Sequence, residues 1–220
     1  KLLLGDPVSK YLPEFAGQEV LTDVNGETVL RPVDRPATVQ DLLRHTAGLT
    51  YEFLGTSALQ KQYIQARIRT DLRERTNAEF TPVLAGLPLL AQPGTVWEYS
   101  RGTDVLGRLI EVLGGQTLGQ HLRDQILAPL GMADTAFSVP EDQHSRIAEP
   151  FARDPDGAPQ MRVFDVRKPV AFESGGGGLV SSAMDYARFL QLLLNRGELD
   201  GVRLLGPRTV DYMTSDHLGD

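Results

Sequence analysis

The stretch that most constrains this chain runs from Thr95 to Leu113, where an extended pattern gives way to a helical one with no spacer between them. The turn Gln92-Pro93-Gly94-Thr95 leads in. Val96, Trp97 and Tyr99 are the β-branched and aromatic types that predict a short strand. Val105, Leu106, Leu109, Ile110 and Leu113 then recur at helical spacing while Asp104, Arg108 and Glu111 are polar, which predicts a helix over about 103–113. The junction falls on Tyr99-Ser100-Arg101. A tyrosine at a strand-to-helix junction has a fixed backbone and a hydroxyl near an element end, where a catalytic phenol would sit. The same pattern also fits a buried ring whose hydroxyl finds a partner.

Upstream of this junction, Val20–Val24 and Glu27–Leu30 flank Asn25-Gly26, a pair that tolerates positive φ and suits a two-residue type I′ hairpin turn. Lys1 to Leu4 reads as the end of a helix capped by Gly5. Thr38, with Asp41 three residues on, predicts a capping box and a short helix to His45, with Val39, Leu42 and Leu43 facing the core. Ser57 to about Arg75 reads as a long polar helix carrying an Ile64, Ile68, Leu72 stripe. Thr76 with Glu79 offers a second capping box, before Phe80 to Leu87.

Downstream, Gly114-Gly115 should stop the central helix, and Leu118 to about Ile126 predicts another. Residues 138–163, rich in Pro, Asp, Gln and Gly, read as a long surface excursion. The four glycines 175–178 are followed by no Gly-Lys-Ser/Thr, so they are no phosphate loop. Glycine there implies close backbone approach, to a cleft floor or a packed strand. Ser182 should cap a helix with Asp185 at its third position and an apolar face of Tyr186, Phe189, Leu190, Leu193 and Leu194. A small hairpin around Asp200-Gly201 and a helix from Pro207 complete the chain.

Bulk properties remove several functions. A net charge of −7 argues against nucleic acid as a partner. The arginines between Arg67 and Arg75 are broken by Asp71 and Glu74, so they read as a solvated helix face. No apolar run approaches the ~20 residues of a membrane span. With no cysteine there is no disulfide or thiolate site, and the compartment stays open. His121, His144 and His217 lack ligand-spaced partners, so no metal is expected, nor any cofactor. His45 reads as a ring that fixes its loop through backbone hydrogen bonds, since no Ser or Cys accompanies it at a recognisable spacing. A segment is expected before Lys1, because the chain starts without a methionine.

Five strings, in order, carry a resemblance over nearly all 220 residues. They are Asp6-Pro7-Val8-Ser9-Lys10-Tyr11-Leu12-Pro13, Leu42-Leu43-Arg44-His45-Thr46-Ala47-Gly48-Leu49, Trp97-Glu98-Tyr99-Ser100, Pro129-Leu130-Gly131-Met132-Ala133-Asp134-Thr135 and Gly175-Gly176-Gly177-Gly178-Leu179-Val180-Ser181-Ser182. Together they resemble the serine β-lactamase-like hydrolases, most nearly the carboxylesterases related to class C β-lactamases and D-alanyl-D-alanine peptidases. The resemblance implies an α+β, β-lactamase/penicillin-binding-protein-like fold. Residues 1–220 would be an incomplete domain, mostly the helical region with small hairpins, with most of the α/β domain outside them. The region from Ser57 to Leu87 would line one wall of a substrate cleft. His45 would be structural.

The family mechanism uses a Ser-x-x-Lys pair on one helix, where i and i+3 share a face, with a tyrosine completing the base. A free tyrosine titrates near ~10, so it needs a nearby cation to act at neutral pH, and the lysine supplies it. Here the lysines are Lys1, Lys10, Lys61 and Lys168; Pro7, Ala58 and Asp165 stand three before the last three. No Ser-x-x-Lys is present, nor a Gly-x-Ser-x-Gly elbow, nor a His-x-Gly, Lys-Thr-Gly or Trp-Gly-Gly strand. The nucleophile helix is expected before residue 1 and the C-terminal strands after residue 220. Alone, the chain is expected to be inactive, and the rest of the enzyme or a second chain would complete the site.

Tyr99 is therefore the catalytic candidate. Arg101 stands where the β-lactamases and peptidases typically carry asparagine, a departure towards an ester substrate. Asp104 matches a position often acidic in the esterases; it could orient Arg101 or Tyr99, or cap the helix. Arg101 and Asp104 are the substrate-binding candidates. The leading function is a carboxylesterase for short acyl esters. A β-lactamase or D-alanyl-D-alanine peptidase-like amide hydrolase is the alternative, and a non-catalytic binding fragment is the third.

Overall fold

A computed structural model describes residues 1–24, 27–68, 74–149, 151–153, 156–159 and 165–218. The described residues form two compact units, the first built from 1–121, 171–177 and 214–220, the second from 122–170 and 178–213.

In the first unit, β1 (Glu19–Val24) and β2 (Glu27–Pro32) pair antiparallel from Glu19 opposite Pro32 to Val24 opposite Glu27, the expected hairpin. The Asn25-Gly26 turn lies outside the described residues. Leu89 adds to the free edge of β1 by two backbone hydrogen bonds, from Leu89 N to Glu19 O and from Leu21 N to Leu89 O. Helix α1 (Val39–Leu43) opens on the Thr38–Asp41 capping box. Val39 and Leu42 are buried, but Leu43 is exposed, because a helix of five residues can turn only two of these three inward.

Helix α2 (Ala58–Gln65) is shorter than expected. It ends where Arg67 takes a left-handed φ of 53°, so the buried side chains are Leu59, Tyr63 and Ile68, while Ile64 faces solvent. Leu72 lies outside the described residues. Helix α3 (Asn77–Ala85) carries the expected Thr76–Glu79 box. Helix α4 (Gly102–Gly114) is stopped by Gly115, whose φ of 69° lets its N–H reach Glu111 O. Helix α5 (Leu118–Leu122) passes into a π-helical turn at 123–127 instead of running on regularly to Ile126.

The core of the first unit gathers Val8, Leu12, Phe15, Val20, Leu42, Leu49, Leu59, Tyr63, Phe80, Leu84, Leu89, Val105, Leu109 and Phe172. Helices α1 and α3 both pack on α4. Residues 1–5 do not form a helix end. A turn closes Asp6 N onto Leu3 O, and Gly5 has no left-handed φ. Val96–Ser100 forms no regular element and, among the described residues, pairs with no strand; Glu98 N bonds to His45 O at 2.9 Å.

In the second unit, α6 (Ala183–Leu194) is capped by Ser182, as expected. Its inward face differs. Asp185 and Leu192 are buried and Phe189 is half-buried, whereas Tyr186, Leu190 and Leu194 are exposed. Asp185 sets that rotation by accepting hydrogen bonds from Asp134 N and the Thr135 hydroxyl. Leu192 packs with Leu127, Leu130, Met132 and Leu199. β3 (Glu198–Leu199) and β4 (Val202–Arg203) form the expected small hairpin, with Asp200 and Gly201 both at positive φ. Helix α7 (Pro207–Met213) follows. Among the described residues of the excursion there is one 3-10 turn, Glu141–Arg146.

Candidate active site

The site is built on two segments of the first unit that run beside each other, the loop 45–54 and the approach 90–101 to α4. His45 leaves α1 with a φ of 57°, which turns the chain sharply. The loop carbonyls then meet the approach segment in series: Thr46 O accepts from Gly94 N and Gly48 O from Leu90 N, both at 2.7 Å, and His45 O from Glu98 N. Gly48 allows this fit, since a Cβ there would lie 2.2 Å from Ala91 O. The backbone before Tyr99 is thus fixed by a loop, where the strand pattern had implied a sheet.

Tyr99 is 45% exposed, so it is not a packed core ring. Its ring centre lies 5.0 Å from that of His45 and 5.1 Å from that of Tyr51, both tilted contacts. Tyr51 stacks in turn on Phe53 at 4.8 Å, and His45 meets the edge of Trp97 at 6.3 Å. The result is a row of five rings: Phe53, Tyr51, Tyr99, His45 and Trp97. Its outer members are exposed, Phe53 by 58% and Trp97 by 53%.

The His45 ring meets a side chain and not the backbone partner that the sequence suggested. Its Nδ1 lies 3.3 Å from the hydroxyl of buried Ser100, whose oxygen also accepts from Gly102 N. The Ser100 hydroxyl can donate to an unprotonated Nδ1 or accept from a protonated one, according to the His45 tautomer. Burial pushes His45 below the usual histidine range.

Behind the rings lies a buried charge cluster. Arg101 Nη2 is 2.8 Å from Glu52 Oε1 and Nη1 is 3.3 Å from Asp104 Oδ2. The guanidinium stands 4.7 Å from the Tyr51 ring centre and 5.9 Å from that of Phe80. Asp104 is 1% exposed. It does not cap α4 from the N-cap position, which Arg101 occupies without a side-chain cap bond. Its second oxygen accepts from the Ser174 hydroxyl and from Gly176 N. This ties the glycine run to α4, where Gly175 comes so close that a Cβ would sit 2.0 Å from Thr103 O. The sequence expected close approach at these glycines; the element approached is a helix.

Tyr51 and Glu52 were not singled out by sequence, although Tyr51 lies only two residues past the Leu42–Leu49 string. Burial pushes the Tyr51 phenol up to about 12; the negative charge of Asp104 acts the same way and Arg101 opposes it. Tyr51 is a proton donor at any ordinary pH. Glu98, beside Tyr99, accepts from the Thr50 hydroxyl at 2.9 Å. Among the described residues, no group of three His, Asp or Glu side chains could hold a metal ion, and no helix is long and apolar enough to cross a membrane.

Comparison with known proteins bears on what this arrangement serves. A family model described as Beta-lactamase matches residues 1–218. Lovastatin esterase of Penicillium rubens is 33% identical over 99% of this chain and 54% of its own length. Esterase EstB of Burkholderia gladioli is 32% identical over 88% of this chain and 51% of its own. Among solved structures, EstCE1, described as a hydrolase with promiscuous acyltransferase activity, superposes with a TM-score of 0.71 at 28% identity, covering 95% of this chain and 55% of its own. The chain spans about half the length of the curated relatives it matches.

Proposed function

Because this chain belongs to the β-lactamase family, whose members similar to it include esterases and acyltransferases, we propose that it forms the tyrosine-bearing part of a serine carboxylesterase acting on short acyl esters. The observation that carries this reading is Tyr99. Its ring is half exposed at the start of α4 and clamped between His45 and Tyr51, in the position the family motif gives the catalytic phenol.

In this reading residues 1–220 are one part of a β-lactamase-like domain. The Ser-x-x-Lys helix, absent from this sequence, lies in the rest of the enzyme. Tyr99, with the lysine beside it, takes the proton of the serine hydroxyl as the serine oxygen bonds to the ester carbonyl carbon. That proton passes to the departing alcohol as the ester C–O bond breaks. Water then attacks the acyl-enzyme, giving its proton back through the same pair. Arg101 and Asp104 serve the substrate wall from behind: Arg101 supports the Tyr51 ring, and Asp104 holds Ser174 and Gly176 in place.

Arg101 stands where an amide-binding asparagine would stand in a β-lactamase or peptidase, and its two terminal nitrogens pair with Glu52 and Asp104, which supports an ester over a β-lactam or peptide amide. The acyl-enzyme has a second outlet, transfer to an alcohol in place of water, which the description of EstCE1 favours. A fluorophosphonate probe on the full-length protein tests the reading. A stoichiometric adduct, mapped by peptide mass to a serine outside residues 1–220, is the expected result. No adduct, or one on a serine within 1–220, would overturn it.

A further inference from the structure

The charge and ring composition around Tyr99 bears on which esters the site accepts, a question that rests on the esterase reading above. Three carboxylates lie on the segments that carry Tyr51 and Tyr99 and on the first turn of α4: Glu52 and Asp104 on the guanidinium of Arg101, and Glu98 on the Thr50 hydroxyl. Among the described residues, Arg101 is the cation paired with two of them. Its side chain is only 13% exposed and its two terminal nitrogens pair with Glu52 and Asp104, so it is poorly placed to meet an anionic group arriving from solvent. Glu52 Oε2 is buried without a hydrogen-bond partner among the described residues, so its charge is only partly compensated. Burial pushes His45 below the usual histidine range, which disfavours a positive charge there. Even with the lysine that the family mechanism requires, carboxylates exceed cations by one.

Over this negative layer lies the row of five rings, with Phe53 and Trp97 open to solvent at its two ends. Aromatic faces carry a negative quadrupole and attract cations, quaternary ammonium groups above all, because these lose little hydration on burial. Rings alone would accept any apolar group, and carboxylates alone would attract any hydrated cation. The two together favour a cation with an apolar surface.

We propose that the ring row beside Tyr99 binds a quaternary or tertiary ammonium group, and that the enzyme prefers esters bearing such a cation on the alcohol or acyl part over neutral esters of the same shape, and those over anionic ones. Charge complementarity and the exposed rings select this occupant. A neutral aryl group would use the rings but not the charge.

Three acetates separate these cases in the full-length protein: the choline ester, its neutral isostere 3,3-dimethylbutyl acetate, and the anionic 3-acetoxypropanoate. The expected order of kcat/KM is cationic, neutral, anionic, with steps of about tenfold at low ionic strength, shrinking as salt is raised. Glu98→Gln keeps the acceptor for Thr50 and removes one charge, so the cationic-to-neutral ratio should fall about threefold. Equal rates for the choline and dimethylbutyl esters, or preference for the anion, would overturn the proposal, while turnover of the neutral ester leaves the esterase reading standing. Trp97 is the one tryptophan of the chain and sits in the ring row, so its fluorescence gives a readout independent of turnover. Tetramethylammonium should change it saturably and trimethylacetate should not. If no ester is hydrolysed, the esterase reading fails and this titration alone decides: no response to tetramethylammonium overturns the ammonium site.

Discussion

Arg101 reaches Glu52 across 2.8 Å, although 49 positions separate them in the chain. Glu52 is buried and the Arg101 side chain is 13% exposed, and the ion pair joins the loop that carries Tyr51 to the N-cap of α4. Buried pairs add little net stability over apolar packing, but removing one partner strands the other charge in a poor solvent. Arg101→Ala leaves two carboxylates uncompensated and is expected to cost about 3–5 kcal/mol, read from the denaturant midpoint. The triple substitution Glu52→Gln, Asp104→Asn and Arg101→Met removes the whole charge cluster together and should recover a large part of that loss. A triple variant as unstable as Arg101→Ala would show that the ion pairs themselves, and not the stranded charges, matter.

Tyr99→Phe removes one hydroxyl from a half-exposed ring and leaves the contacts with His45 and Tyr51 intact. Stability should change by no more than about 0.5 kcal/mol. If the phenol moves a proton in the reaction, kcat of the full-length enzyme on a neutral acetate ester should fall about 10²–10⁴-fold. A loss under tenfold would place the proton transfer elsewhere.

His45 gives a pH dependence with a definite sign. Its folded value is pushed below the ordinary 6.5 by burial, so the unfolded chain takes up the proton first as pH falls. Its contribution is complete above 6.5 and is lost as the pH falls from there through the lowered folded value. Asp41 loses its contribution in a separate and more acid window. Arg35 and the Thr38 N–H and hydroxyl hold its carboxyl well below the usual range against the opposing effect of its burial, so its share is present above 3.8 and lost below that. His45→Gln should flatten the upper window and spare the lower. Trp97, 6.3 Å from the His45 ring, reports the folded-state titration by fluorescence, and an unchanged Trp97 signal between pH 7 and pH 4 would argue against it.

The legible part of this molecule was local. Capping boxes at Thr38 and Thr76 need only residues three apart, and the structure contains both. The hairpins follow from side-chain type and turn residues, and the Gly115 stop from φ alone. Where the outcome depended on tertiary partners, pattern misled. The Ile64–Ile68 spacing implied one long helix, but Arg67 turns the chain and buries Ile68 from a loop. On α6 the apolar residues did not mark the inward face, because Asp185 docks on Asp134 and Thr135 and rotates the helix. Tyr99 stood out because one short motif fixes its place at the helix start. Tyr51 and Glu52 did not, since their roles arise from partners about fifty positions away.

The glycine run offers the sharpest contrast between neighbours. Gly175 lies against α4 so closely that a methyl group would meet Thr103 O at 2.0 Å and Gly107 N at 3.0 Å. Both are backbone atoms of a helix that packs against α1 and α3, so neither side can yield without moving the Tyr99 junction. Gly175→Ala should therefore destabilise by about 1–3 kcal/mol or more, as overpacking does. It should also loosen the Asp104 bonds to Ser174 and Gly176. Two residues on, Gly177 has nothing within 4 Å of its ideal Cβ and no left-handed φ. There Gly177→Ala should be neutral or stabilising by about 0.4–1 kcal/mol, because it reduces only the freedom of the unfolded chain. Denaturant midpoints of the two variants, measured side by side, test whether the run is needed for contact at one position or for flexibility throughout. Equal losses at both would favour flexibility and sink the contact argument.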